Sequence, residues 1–168
     1  MKYIIPESLQ TERLNLRMFL EKDWKDMHAY FSDPECMRYT SGRQFSENES
    51  WQKVAALSGH WNLRGYGSYA LEEKASGKVI GVAGLDYPLE WPEPEIQWGL
   101  SSAFWGKGYA SEAVKKIKVM VSEFIPDMPL ISLIFKNNLN SINLAKAIGA
   151  RYEKEIQFRN EPALIFRH

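Results

Sequence analysis

The sequence predicts an α/β domain whose mixed sheet is flanked by helices, and three observations carry that prediction. Stretches of period-two apolar alternation are interleaved with stretches of helical period. Read in order, they give strand, two helices, three strands, helix, strand, helix and two strands. The 168 residues contain no internal repeat, low-complexity tract or linker, so this order belongs to one domain over residues 1–168, long enough to bury a core.

Each element has a local reason. Leu14, Leu16 and Met18 alternate with Arg13, Asn15 and Arg17, as a half-buried strand requires. Asp23 is placed to cap a short helix that turns Trp24, Met27 and Phe31 inward. Ser46-Glu47-Asn48-Glu49 has capping-box spacing and opens a second helix with Trp51, Val54, Ala55 and Trp61 on one side. Strands follow over Ser68 to Glu73 and Val79 to Leu85, joined by a turn containing Ser76-Gly77. A loop rich in Pro and Trp then leads to the strand Glu95 to Leu100. The next helix places Ala110, Ala113, Val114, Ile117, Met120, Val121 and Phe124 at helical spacing, and Pro126 lies beyond its end. A strand over Leu130 to Phe135, a helix from about Leu139 to Ile148 and Gly149 as its C-cap come next. The strands Ala150 to Phe158 and Pro162 to Arg167 close the chain through Asn160-Glu161.

Composition limits the function. Twenty-one basic and 21 acidic side chains give zero formal net charge, which provides no long-range attraction to nucleic acid or a membrane surface. No stretch is apolar and long enough to span a bilayer, and Met1 to Glu7 lacks the apolar run of a signal peptide. The lone Cys36 excludes an internal disulfide and reads as a packed thiol. His28, His60 and His168 have no ligand spacing, so no metal site is expected. The expected location is the cytoplasm.

The chemistry concentrates in Trp105-Gly106-Lys107-Gly108-Tyr109-Ala110-Ser111-Glu112-Ala113. Two glycines one residue apart let the backbone turn tightly and approach a ligand closely. The first-turn amides of the following helix then face that ligand, and the helix dipole favours negative charge there. Lys107 either adds a phosphate-neutralising cation or faces solvent. The segment reads as a pyrophosphate cradle, against a turn whose glycines serve packing alone. It is not a P-loop, because the spacing to a Gly-Lys-Ser/Thr end is absent. Nor is it a dinucleotide fingerprint: Ser111 stands in place of the third glycine, and the next strand ends in Lys136-Asn137-Asn138 without a ribose-binding acid.

This segment resembles the acetyl-coenzyme A (acetyl-CoA) signature of the GNAT superfamily of N-acetyltransferases, in particular the branch that includes the ribosomal-protein N-terminal acetyltransferases. That branch has a strand Glu-Ile-Gly-Tyr-Trp-Leu followed at fixed distance by Tyr-Trp-Gly-Lys-Gly-Tyr-Ala-Thr-Glu-Ala. Here Glu95-Ile96-Gln97-Trp98-Gly99-Leu100 and Phe104 to Ala113 match it without a gap. Thr11-Glu12-Arg13-Leu14-Asn15-Leu16-Arg17 repeats the branch's N-terminal block, and Asn138-Leu139-Asn140-Ser141 its helix-opening Asn-x-x-Ser.

The resemblance implies a GNAT-type fold with a splayed sheet and transfer of an acetyl group from the cosubstrate acetyl-CoA to a primary amine by direct attack. The acceptor is a protein N-terminal α-amine or a small-molecule amine. Trp98, Gly99 and Leu100 inherit the free strand backbone for pantetheine and the acetyl oxygen. Gly106, Lys107, Gly108, Tyr109, Ala110 and Ser111 inherit the pyrophosphate amides, and Asn138 a coenzyme contact or a helix cap. An α-amine titrates at about 7.7–8.0 and a lysine at about 10.4, so a general base assists at neutral pH. Glu95 is the candidate base, directly or through ordered water; its alternative is an ion pair at a strand end. Ser141 is a second catalytic candidate, or a helix cap. Glu112 serves charge–dipole placement or catalysis.

Three departures stand out. Ala145 occupies the place of the Tyr that many members use to protonate the departing thiolate. Gln97 and Gly99 replace the usual Gly and Trp. Trp91 and Tyr39, with Thr40, are candidate walls of the acceptor pocket. The alternative functions are a catalytically silent acetyl-CoA-binding module on the same fold and an unrelated nucleotide-binding domain. The edge strand of the closing hairpin offers a route to a homodimer.

Overall fold

The structure is a computed structural model and describes residues 2–168. Its strands are β1 (Ser8–Gln10), β2 (Leu14–Arg17), β3 (Ser68–Glu73), β4 (Val79–Asp86), β5 (Glu95–Leu100), β6 (Ile131–Phe135), β7 (Arg151–Phe158) and β8 (Glu161–Arg167). They form one sheet in the order β1-β2-β3-β4-β5-β6-β8-β7. Its α-helices are α1 (Trp24–Phe31), α2 (Pro34–Met37), α3 (Glu47–Arg64), α4 (Tyr109–Phe124) and α5 (Leu139–Ala147).

Neighbouring strands are antiparallel except β5 and β6, which run parallel and pair at one position, Glu95 with Ile131. Beyond it the two strands part, and the sheet is splayed there. β4 reads as a continuous apolar run because both its faces are covered. On one face Tyr69, Leu71, Ala83, Leu85 and Ile96 pack with Val114 and Ile117 of α4. On the other, Ala70 and Val82 meet Met27 and Phe31 of α1 and Val54 and Leu57 of α3. A smaller cluster joins Ile142 and Ala145 of α5 to Ile134 and Phe166.

The capping box forms as its spacing predicts: the Glu49 amide donates to Ser46 Oγ at 3.2 Å, and the Ser46 amide donates to Glu49 at 2.8 Å. Other local readings are corrected. Asp23 stands at the start of α1 without a cap bond to it; its carboxylate instead accepts from the Leu20 amide at the head of the preceding 3-10 turn and pairs with Arg17, 2.7 Å away. The inward stripe of α3 is Ser50, Val54, Leu57 and Trp61, while Trp51 and Ala55 face solvent one helical step away. Phe124, at the last turn of α4, is likewise exposed. The closing hairpin turns at Arg159-Asn160, both with positive φ, so Glu161 already pairs with Phe158. β1 and α2 are too short for a periodic signal; α2 starts with Pro34 behind the cap Asp33, whose carboxylate accepts from the Glu35 amide.

Candidate active site

The glycine turn has the backbone that its sequence demands. Gly106 and Gly108 have φ of 72° and 80°, in the left-handed region, and α4 starts at Tyr109. A Cβ on Gly106 would meet no protein atom within 4 Å, so the hollow beside the turn is open to a ligand. This is the room a pyrophosphate needs against the first-turn amides.

The N-terminal block braces this turn. Glu112 accepts from Thr11 Oγ1 at 2.6 Å and the Arg13 amide at 2.8 Å, and its other oxygen from Arg13 Nε at 2.7 Å. The Arg13 guanidinium also donates to the Lys107 carbonyl at 2.8 Å and lies 4.2 Å from the centre of the Tyr109 ring. Burial pushes the Glu112 carboxyl upward, but the Thr11 and Arg13 donors outweigh it and hold the group below its usual range. Glu112 therefore keeps the first-turn position that favours its charge and, in addition, ties two distant segments together. The Tyr109 hydroxyl is turned inward onto Glu73, and Lys107 Nζ stands 5.3 Å from the Phe104 ring centre.

Where β5 leaves β6, its free edge can be read from its partners. The Ile96 carbonyl accepts from Ser132 Oγ at 2.6 Å, and the Leu100 carbonyl from Trp105 Nε1 at 2.8 Å, both on the side away from β4. With a period of two, Trp98 also turns its N–H and C=O to that side, and Leu100 its N–H. These groups face the gap between the strands. A cavity of about 1060 Å³ occupies it, at the upper end of the roughly 300–1,000 Å³ usual for a small-molecule site. Every candidate residue from the sequence lines this cavity except Lys107, Ser111 and Glu112.

At the closed end of the gap lies Glu95, 6% exposed. Its carboxylate accepts from the Leu133 amide at 3.2 Å. No Lys or Arg pairs with it among the described residues, which disposes of the ion-pair alternative. Burial pushes its pKa up to about 8, against the Leu133 donor and the nearby Trp91 indole. That indole N–H is buried without a partner at hydrogen-bond distance, so its pull on the carboxylate is weak. Trp91 packs edge-on against Phe158, with Arg159 over its face. The Tyr39 hydroxyl donates to the Asn137 carbonyl at 3.0 Å, and Arg159 reaches the Thr40 carbonyl at 3.3 Å. This end of the cavity is thus walled from both halves of the sheet.

On α5, Asn138 is the cap, its Oδ1 accepting from the Ser141 amide at 3.3 Å. Ser141 is not a cap; its hydroxyl accepts from Trp98 Nε1 at 3.3 Å and lines the cavity. Ala145 is fully buried against the sheet and offers no proton.

The family model of the acetyltransferase (GNAT) domain matches residues 13–151. The chain belongs to the GNAT acetyltransferase family. GNAT enzymes are acetyl-CoA-dependent N-acetyltransferases, and the open cradle and free strand edge fit that cosubstrate. The chain is similar to the uncharacterized protein YkkB of Bacillus subtilis, 29% identical over 94% of this chain and 93% of that one. It is also similar to an uncharacterized N-acetyltransferase of Bacillus licheniformis, 33% identical over 66% of this chain and 64% of that one. An acetyltransferase structure from Agrobacterium tumefaciens superposes with a TM-score of 0.84 at 25% identity, covering 98% of this chain and 94% of that one.

The partners of Gln97 and Gly99 beside the GNAT cavity escape sequence reasoning. Gln97 donates to Ser68 Oγ at 2.8 Å and to Asp86 at 3.2 Å, which pins the face of β5 beside Glu95. Tyr30 packs against Gly99 from α1. The unusual Gly99 was legible as a departure from pattern, but nothing in the sequence pointed to its partner.

Proposed function

We propose that this enzyme acetylates a primary amine held at the closed end of the gap, with Glu95 as general base. The observation that carries this reading is a buried carboxylate, without a cationic partner among the described residues, at the place where β5 and β6 part. The Glu95 carboxylate takes a proton from the acceptor ammonium. The freed nitrogen lone pair attacks the thioester carbon, the C–N bond forms and the C–S bond breaks. The second nitrogen proton passes to water in the cavity, the departing thiolate takes a proton from a donor beside it, and that donor regains one from the same water, so that the net proton released is the one held by Glu95. Ser141 is the donor there, because the Trp98 indole fills an acceptor position on its oxygen and leaves its own proton free to point into the cavity. Trp98 and Leu100 hold pantetheine and the acetyl oxygen through their backbone, and Gly106 to Ser111 hold the pyrophosphate through amides. Asn138 presents its remaining amide group to the coenzyme, and Tyr39 and Trp91 wall the acceptor. A cytoplasmic location suits the reduced, buried Cys36.

The acceptor is a protein N-terminal α-amine or a small amine, and a screen of peptides and amines with thiol release and mass detection tests this. An acetylated product supports the reading; acetyl-CoA binding without turnover on any amine overturns it in favour of a silent binding module. For Ser141→Ala, kcat is expected to fall about 10²-fold, the lower end for a general acid, with the Kd for acetyl-CoA unchanged. An unchanged kcat would assign thiolate protonation to solvent.

A further inference from the structure

Gly99 lies in extended backbone, so no unusual φ explains a glycine there. Space does. A Cβ at this position would overlap the Tyr30 hydroxyl and lie 2.8 Å from ring atom Cζ. The phenol of α1 therefore rests directly on the strand, between the two residues whose amides face the gap. Tyr30 is 6% exposed and lines the cavity, yet its hydroxyl has no hydrogen-bond partner among the described residues. It is not among the sealed, unpartnered polar atoms of the described residues, so it opens to the cavity, where a ligand can take its proton in a hydrogen bond.

We propose that the Tyr30 hydroxyl donates a hydrogen bond to the acetyl oxygen of the bound thioester, alongside a backbone amide of β5, and that Gly99 exists to let it reach. The inference rests on the acetyltransferase reading above, which puts the acetyl group beside Trp98 to Leu100. Two donors on this oxygen stabilise the negative charge that develops as the amine attacks. Burial, and secondarily the neighbouring Cys36 thiol, push the phenol's pKa well above its ordinary value. It stays neutral and protonated throughout the working pH range, which suits a hydrogen-bond donor and excludes a base.

Tyr30→Phe keeps the ring and removes the donor. With acetyl-CoA carrying carbon-13 at its carbonyl, the bound carbonyl resonance of the wild type is expected downfield of the free one. In Tyr30→Phe that displacement shrinks, the Kd for acetyl-CoA stays within about twofold, and kcat with a primary amine that the wild type acetylates falls about 10²-fold, as for loss of one oxyanion donor. Gly99→Ala, which pushes the phenol away while keeping it, should show the same loss of displacement. A Tyr30→Phe carbonyl resonance and kcat equal to the wild type would overturn the proposal and leave Tyr30 a packing residue. Absence of a bound signal in the wild type would overturn the cosubstrate assignment, and this proposal with it.

Discussion

Glu95→Gln is expected to lower kcat/KM by about 10²-fold or more, the usual contribution of a general base, while leaving acetyl-CoA binding intact. The active form is the carboxylate. Since burial moves that group up to about 8, wild-type activity should rise with pH and level off above that value. The variant has no base and depends on free amine alone. Its rate should follow the acceptor's own titration, so the deficit shrinks as pH rises. Stability supplies an independent check with its own sign. Folded Glu95 keeps its proton up to about pH 8, whereas in the unfolded chain it titrates near 4.5. Below the lower value both states are protonated; between the two, unfolding releases a proton, and rising pH favours the unfolded chain. Gln carries no such penalty. Glu95→Gln should therefore have a higher Tm than the wild type at pH 8 and a similar one at pH 4. A variant that is less stable at pH 8 and keeps the wild-type pH–rate profile would make Glu95 structural.

Gly106→Val or Gly108→Val is expected to weaken acetyl-CoA binding strongly. Each charge-assisted bond from an amide to phosphate is worth about 1.5–3 kcal/mol, so loss of one raises Kd roughly 10- to 150-fold. At Gly106 the new side chain would project into open space, which only a ligand needs. Because both glycines have positive φ, a side chain also strains the backbone. Gly77 controls for that: its φ is 69°, a Cβ there meets nothing within 4 Å, and it lies in the β3–β4 turn. Gly77→Val carries similar strain and should leave Kd unchanged. Lys107→Ala should have a smaller effect than either cradle variant, since its side chain lies outside the cavity. Calorimetric titration with acetyl-CoA measures all four, and wild-type affinity in a folded Gly106→Val would remove the pyrophosphate from this turn.

Much of this protein is local. The capping box at Ser46, the left-handed glycines before α4 and the apolar run of β4 follow from residues within one or two turns of each other. So do the existence and order of the longer elements. The errors were local too: Trp51 sits one helical step from the stripe that is buried, and the closing hairpin turns one residue earlier than its composition suggests.

The sequence by itself determined the order of the longer strands and helices, the left-handed glycine turn before α4 and, through four matching blocks, the family. Tertiary structure alone decided what those residues do to one another. Only the parting of β5 from β6 frees the Trp98 and Leu100 amides, and only packing strips Glu95 of water and, among the described residues, of any cationic partner. Arg13 and Glu112 meet across 99 positions of chain, and Tyr30 meets Gly99 across the sheet. Backbone conformation answers mainly to near neighbours in sequence, whereas desolvation, proton affinity and close approach are set by whichever groups folding brings within a few ångströms.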